Sequence, residues 1–541
     1  MKRVFKRSRR VAASIMALAF VASLSQVAPT SAAKDKNNLT ILIAEKDADW
    51  CSQGTPGLDQ VLMKNSVAET LTILNNSGKV VNYLAESITS SSDYKTWDIK
   101  VRAGVFFHDG EELTATTVRT NVAALAGLIG TPGLPAVSWQ ALFGSITSSA
   151  MLAAKAQVVD KYTIRFNLPL PRPDVPEVLF GNGRSALWSS KTLTNPKCGT
   201  TMGAGTGPFK IKSKGTDQFT TILEANDNYW RKGDDGKKLP KSKMVTFKVV
   251  LDDAQRVNAL SKGDGDISTF GAASGAQLNR MKGLKGKITL FEGPRDTTWG
   301  LHFNTVAAPF NSKNARLAVQ FAIDRNAIAK VLGKGNMDPA TSFGASYHPF
   351  YLKNSGVKFD LAKAKEYVAA YKAETGKDLT VVIPITDTAA SLKYNDFVGK
   401  QLEKAGIKYS LMPPVTSTQY IQRGFALRQH WSNFNVVAGR DNSFATLFAT
   451  KTDLELAGFR ISEPGLAQCF VDARAVRNGD FKKCVSRLHD QAYWTPIYNE
   501  GGFVAVRSGI EGVGATRLPG GGLRPVVGLA GFDFASVTVK G

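Results

Sequence analysis

Trp299-Gly-Leu-His-Phe-Asn304, then Ala308-Pro-Phe310, then Asn314-Ala-Arg-Leu-Ala-Val-Gln-Phe-Ala-Ile-Asp-Arg325 is the stretch that decides the fold. Trp299, Leu301 and Phe303 are large and apolar on alternate positions, which predicts a strand. Ala315, Ala318, Val319 and Ala322 then recur at i, i+3, i+4 and i+7, the spacing of a helix with one apolar stripe. Asp324 is placed to cap a second short helix carrying Ile328, Val331 and Leu332, with Gly333 as its C-cap.

Outward from this centre the same reading continues. Leu39–Ile43 is a run of apolar residues fit for a buried strand. Asn65–Leu74 reads as a helix with Val67, Thr70, Leu71 and Leu74 inward. Trp97, Ile99 and Val101 alternate with Asp98, Lys100 and Arg102, a half-buried strand. Phe106–Gly110 is a turn in which Gly110 supplies a positive φ, and His108 reads as a turn histidine bonded locally. Thr114 caps a helix to about Leu128, with Thr117 where a capping box has its acidic residue, so the box is expected to be incomplete. Further helices start at Asp252 or Asp253 and at Asp360. Leu379–Ile385, Trp494–Tyr498 and Phe503–Arg507 read as strands.

A chain of 541 residues with 43% hydrophobic content has room for two or more cored domains. Met1–Ala33 reads as a secretory signal: six basic residues, an apolar run Val11–Leu24 and a small-residue end at Thr30–Ala33. Without those six cations the formal charge is +17 against +23 for the whole chain. The lysines and arginines are dispersed and lack interleaved aromatics, which argues against nucleic acid as the partner. Four cysteines in an exported chain favour disulfides, with Cys469–Cys484 as a local pair, leaving Cys51 and Cys198.

Enzyme signatures are missing. The chain has no GxSxG, HExxH, complete P-loop or dinucleotide fingerprint. Ser355-Gly-Val-Lys358 stands without the partner motifs of its class. Gly203–Phe209 is glycine-rich but leads into a strand, not a helix. The five histidines are far apart, and the aspartates near Gly263 lack EF-hand spacing, so no metal or cofactor is expected.

The order Leu-His-Phe-Asn-Thr305, Ala308-Pro-Phe310 and Ala-Ile-Asp-Arg325 resembles the central signature of family 5 extracytoplasmic solute-binding proteins, components of ABC importers. Leu84-Ala-Glu-Ser87, Phe107-His-Asp-Gly110, Gly205-Thr-Gly-Pro-Phe-Lys-Ile211 and Gln401–Ile407 resemble other family motifs, in the family's order from about Leu39 to Val513. The resemblance implies an α/β, periplasmic binding protein-like fold of two lobes (class II, cluster C type) with an extra inserted subdomain. It implies a signal peptide at 1–33, first-lobe segments at 34–78, 201–300 and 493–541, an insertion at 79–200, and a second lobe at 301–492. The implied function is capture of a peptide or peptide-like solute and delivery to a membrane permease, by a monomer, without catalysis. The runners-up are a non-peptide ligand (oligosaccharide, opine, nickel complex or haem) and a sensory role. No cysteine stands at the cleavage region, where lipid-anchored relatives carry one, so a periplasmic or secreted protein is expected. By position in the family pattern, Asp441 would meet a ligand amine and Arg440 a carboxylate. Trp299, Trp431, Phe444 and Trp50 would supply aromatic walls.

Overall fold

The computed structural model describes residues 37–540 apart from 47–49, 51–57, 131–133, 196–201, 217–218, 347–349, 354, 426–429, 438–460, 462, 477–478 and 529–531. Its centre is a seven-stranded mixed sheet. In order across it lie Ile288–Glu292, Phe503–Arg507, Ile267–Phe270, Asn38–Ile43, Met244–Val249, Thr220–Ala225 and Phe209–Lys214. Asn38–Ile43 runs parallel to both of its neighbours, and the outer pairs are antiparallel. The unbroken apolar run in Asn38–Ile43 follows from burial on both faces. Leu42 joins Phe270, Phe503 and Ala505 in one core. Leu39, Ile41 and Ile43 join Val504 and Val506 in another.

A four-stranded sheet holds Asp338–Pro339, Trp494–Glu500, Thr297–Phe303 and Trp431–Val437. The decisive stretch therefore forms its strand as expected, and helix Lys313–Ala322 follows, with Ala315, Ala318, Val319 and Ala322 all buried. Asp324 caps the next turn, accepting from the Ala327 amide at 2.9 Å. Gly333 is not the cap. The turn Ala329–Gly333 closes on Lys334 at φ 48°, while Gly333 is enclosed where a Cβ would stand 2.2 Å from Met337 Cγ. A third sheet, Ala85–Ser90, Thr96–Val101, Thr163–Asn167 and Ala156–Val158, has its own core with helix Ala115–Leu125.

Two further expectations are corrected. Residues 65–74 form no helix: a helix ends at Asn65, and Thr72–Leu74 is a strand. The backbone between is used elsewhere, because Gly207 N donates to Val67 O at 2.8 Å and Phe209 N to Ser66 O at 3.1 Å. Gly205 and Gly207 permit this approach, since a Cβ on either would lie under 3 Å from residues 66–68. The capping box at Thr114 is complete, as Thr117 Oγ1 accepts from the Thr114 amide at 2.9 Å. A threonine hydroxyl does there what a carboxylate usually does.

Glu69 ties these parts together from full burial. Its oxygens accept from Tyr83 Oη at 2.8 Å, Tyr229 Oη at 2.6 Å, Trp230 Nε1 at 2.8 Å and Thr206 Oγ1 at 3.0 Å. Burial holds its pKa above the usual carboxylate range, although these donors and Arg231 pull it down. Arg231 continues the network to Tyr83 Oη at 2.8 Å and to Asp533 at 3.2 Å.

Cys469 and Cys484 are disulfide-bonded, joining helices Pro464–Arg474 and Lys482–Asp490. Cys51 and Cys198 lie outside the described residues. With a separation of 15 residues, reduction should cost about 3 kcal/mol. Thermal unfolding with and without dithiothreitol checks this, and the expected result is a lower midpoint in the reduced protein.

Candidate functional site

Parallel strands leave their carboxyl ends open where neighbouring connections diverge, and ligands of α/β sheets settle there. In this chain that edge lies beyond Ile43, Val249 and Phe270. Asp59, in the first turn of helix Leu58–Asn65, staples two of the ends. Its Oδ2 accepts from the Ala44 amide at 2.7 Å, and its Oδ1 accepts from Thr269 Oγ1. Two residues past the strand Ile267–Phe270, the Ala272 amide donates to Glu500 Oε2 at 2.6 Å.

Glu500 ends the strand Trp494–Glu500 of the four-stranded sheet, and its Oε1 accepts from Trp299 Nε1. One buried carboxylate thus holds both sheets. Trp299 stacks on Tyr498 with ring centroids 6.3 Å apart, and Tyr394 meets Tyr498 edge-on at 5.9 Å. A second link comes from Glu45, whose Oε1 accepts from Ser417 Oγ at 2.9 Å, on helix Ser417–Phe425. Its Oε2 is buried with no hydrogen-bond partner among the described residues.

The chain crosses from the first sheet to the second through 293–296 and returns through Gly501-Gly502. The two crossings touch backbone to backbone: a Cβ on Gly293 would stand 2.2 Å from Gly501 O, and one on Gly501 would stand 1.9 Å from Gly293 O.

Burial governs the electrostatics of this edge. It pushes Glu45 up to about 7, with the Asp59 charge adding to it and Ser417 opposing. Burial also raises Asp59, against the pull of Thr269, the Ala44 amide and Arg256. Glu500 is raised by burial too, with the Ala272 amide and Trp299 pulling it down. Neutral donors hold these carboxylates for the most part, so a solute bringing ammonium or amide N–H groups would find acceptors.

The sign of the Glu45 effect is testable. Its folded pKa lies above its unfolded value, so its contribution to stability is present in full below about 4.5 and is lost as pH rises through about 7. Thermal unfolding between pH 5 and 7.5 should show a flatter dependence in Glu45→Gln than in the parent. An unchanged slope would mean that the carboxylate titrates normally.

Of the residues expected to bind ligand, Trp299 reaches this edge. Trp431 does not: it is 1% exposed and packs on Phe303 and Phe310 in the core. Trp50, also 1% exposed, meets Trp188 edge-on at 6.4 Å. Arg440, Asp441 and Phe444 lie outside the described residues. His108 is held by the Gly207 carbonyl at 2.9 Å. No group of three or more metal-binding side chains occurs among the described residues. Glu45, Asp59 and Glu500 carry no motif, and only contacts across 15 to 372 positions of the chain reveal them.

Comparison with known proteins agrees with this architecture. The family described as bacterial extracellular solute-binding proteins, family 5, middle portion, matches residues 79–453. The glutathione-binding protein GsiB of Salmonella paratyphi A is 28% identical over 346 residues, 62% of this chain and 61% of that protein. The match thus spans under two thirds of that relative's length. Among solved structures, AgaA of A. tumefaciens R10 in complex with agropinic acid superposes with a TM-score of 0.78 at 19% identity, covering 93% of this chain and 99% of that one. DppA of Helicobacter pylori, in complex with the peptide STSA, gives 0.77 at 19% identity over 93% and 98%. At such identities the likeness is one of fold.

Proposed function

This chain belongs to the family 5 bacterial extracellular solute-binding proteins, and from that premise we propose that it captures a peptide or peptide-like solute between two lobes and hands it to the membrane permease of an ABC importer. The observation that carries the proposal is the carboxyl edge of the seven-stranded sheet, where Glu500 joins the two sheets and Glu45 reaches helix Ser417–Phe425 through groups that a bound solute could replace. The glutathione-binding relative supports a small peptide as the ligand class.

In this reading the lobes divide at the crossings 293–296 and 501–502 in place of 300 and 492, because Thr297–Phe303 and Trp494–Glu500 both run in the second sheet. The segment 79–200 is the insertion of the first lobe. Asp441 and Arg440 meet the ligand's ammonium and carboxylate, and Phe444 and Trp299 supply aromatic contact to it. Trp431 and Trp50 leave the site because their rings are enclosed. The protein works as a monomer in the periplasm or outside the cell, and the solute leaves chemically unchanged.

A thermal-shift panel tests the ligand class. Di- and tripeptides, glutathione included, are compared with free amino acids, an opine and a nickel–histidine complex. A peptide at about a hundredfold over its Kd should stabilise by about 2.7 kcal/mol and raise the midpoint by a few degrees. A rise produced by non-peptide solutes alone would refute the peptide assignment.

A further inference from the structure

A cationic face lies on helix Gly275–Lys282, the turn after it, and the turn Ala329–Gly333 with Lys334. The sequence from Ile267 to Phe291 holds Arg280, Lys282, Lys285 and Lys287 and no acidic residue, and Arg325 to Met337 adds Lys330 and Lys334, again with none. All six of these side chains are exposed. The fold presses the two stretches together: a Cβ on Gly275 would lie 2.4 Å from Gly333 O, and Asn279 Nδ2 donates to Lys334 O at 3.1 Å.

Neutral amides line this face where a typical surface would offer carboxylates. Arg280 donates to Asn258 Oδ1 at 2.6 Å, Lys282 donates to Asn336 Oδ1 at 2.6 Å, and Asn336 donates to Asn279 Oδ1 at 3.1 Å. Among the described residues none of the six cations forms a salt bridge, whereas the nearby acids Glu292 and Asp338 are both taken by Arg295. Val331, 45% exposed, stands between Lys330 and Lys334. Cations without a salt bridge among the described residues, with an exposed apolar side chain between Lys330 and Lys334, are complementary to an anionic lipid surface, where lysines gain from the negative potential and an apolar group enters the interface.

We propose that this face is a peripheral membrane-docking surface for anionic phospholipid headgroups. The face joins residues 275–287 of the first lobe to 329–334 of the second, and it shares no residue with the Glu45, Asp59 and Glu500 cluster, so the inference does not rest on the ligand assignment. Such docking is electrostatic, so it weakens as salt shortens the reach of the charges.

Cosedimentation of the mature protein with vesicles tests it, using phosphatidylcholine with about a third phosphatidylglycerol, and phosphatidylcholine alone, at about 0.1 M salt. The patch variant carries Lys285→Gln, Lys287→Gln, Lys330→Gln and Lys334→Gln. The control carries Lys365→Gln, Lys377→Gln, Lys393→Gln and Lys404→Gln, an equal loss of charge from exposed lysines of another face. The expected result is partition of the parent onto the anionic vesicles alone, a fall of about tenfold or more in the patch variant, and retention in the control. Equal falls in both variants would assign the effect to diffuse net charge and overturn the proposal. So would failure of the parent to sediment, or binding to soluble dextran sulfate with none to vesicles.

Discussion

Glu69→Ala should lower the stability of the folded chain by about 3–5 kcal/mol. The carboxylate accepts from two phenols, an indole and a threonine, all deep inside. Its removal leaves four donors facing each other across a void, with Arg231 still beside them. Glu69→Gln is the informative companion. One amide oxygen still accepts, while the NH2 group opposes donors, so an intermediate loss of about 1–3 kcal/mol follows. Urea unfolding followed by tryptophan fluorescence measures both. An alanine variant within 1 kcal/mol of the parent would show that the network is dispensable.

Gly501→Val should be nearly as damaging, and for a different reason. Its Cβ would be driven to 1.9 Å from Gly293 O, at the point where both chain crossings between the sheets touch. Backbone cannot swing aside as a side chain can, so a cost of about 3 kcal/mol or more is expected. Ligand affinity should fall by about tenfold or more, because the strain separates the surfaces that must close together. Gly502→Ala is the contrast. That residue has φ 65° with Val527 at 3.5 Å, ordinary contact distance, so the penalty is the conformational one alone, about 1–2 kcal/mol. Denaturant melts and ligand titration of the two variants separate steric from conformational cost. Equal effects would contradict the close-crossing account.

Local rules in the sequence carry much of this fold. The alternation in Trp299–Phe303, the 3–4 spacing in Ala315–Ala322 and the caps at Asp324, Asp252 and Asp360 all stand in the structure. These features answer to neighbours within a few residues. The misread helix at 65–74 fails for the complementary reason. Its backbone partners are Gly207 and Phe209, more than a hundred residues away, and no periodicity announces them. Gly333 suits a cap by residue type, but its missing side chain serves packing against Met337.

The site was less legible. Asp59, Thr269 and Glu500 converge only once strands 38–43, 267–270 and 494–500 are set side by side. Trp299 stands out in the sequence because it lies in the decisive strand, and in the structure it meets Glu500. Trp431, of the same residue type in the adjacent strand, turned out to be core: its partner across the sheet is Phe303, which faces inward with it. Residue type alone cannot separate those two fates; position along the sheet does, since Trp299 lies toward the end of its strand that meets Glu500, while Trp431 pairs with the other end.

A peptide held between the two sheet bodies should survive purification of the protein. Native mass spectrometry of the mature protein as purified, followed by denaturing release, tests it most directly. The expected result is released masses that fragment as peptides, with the bound population depleted in Asp441→Ala and in Glu45→Gln. A single non-peptide or metal-containing species, retained by both variants, would contradict it.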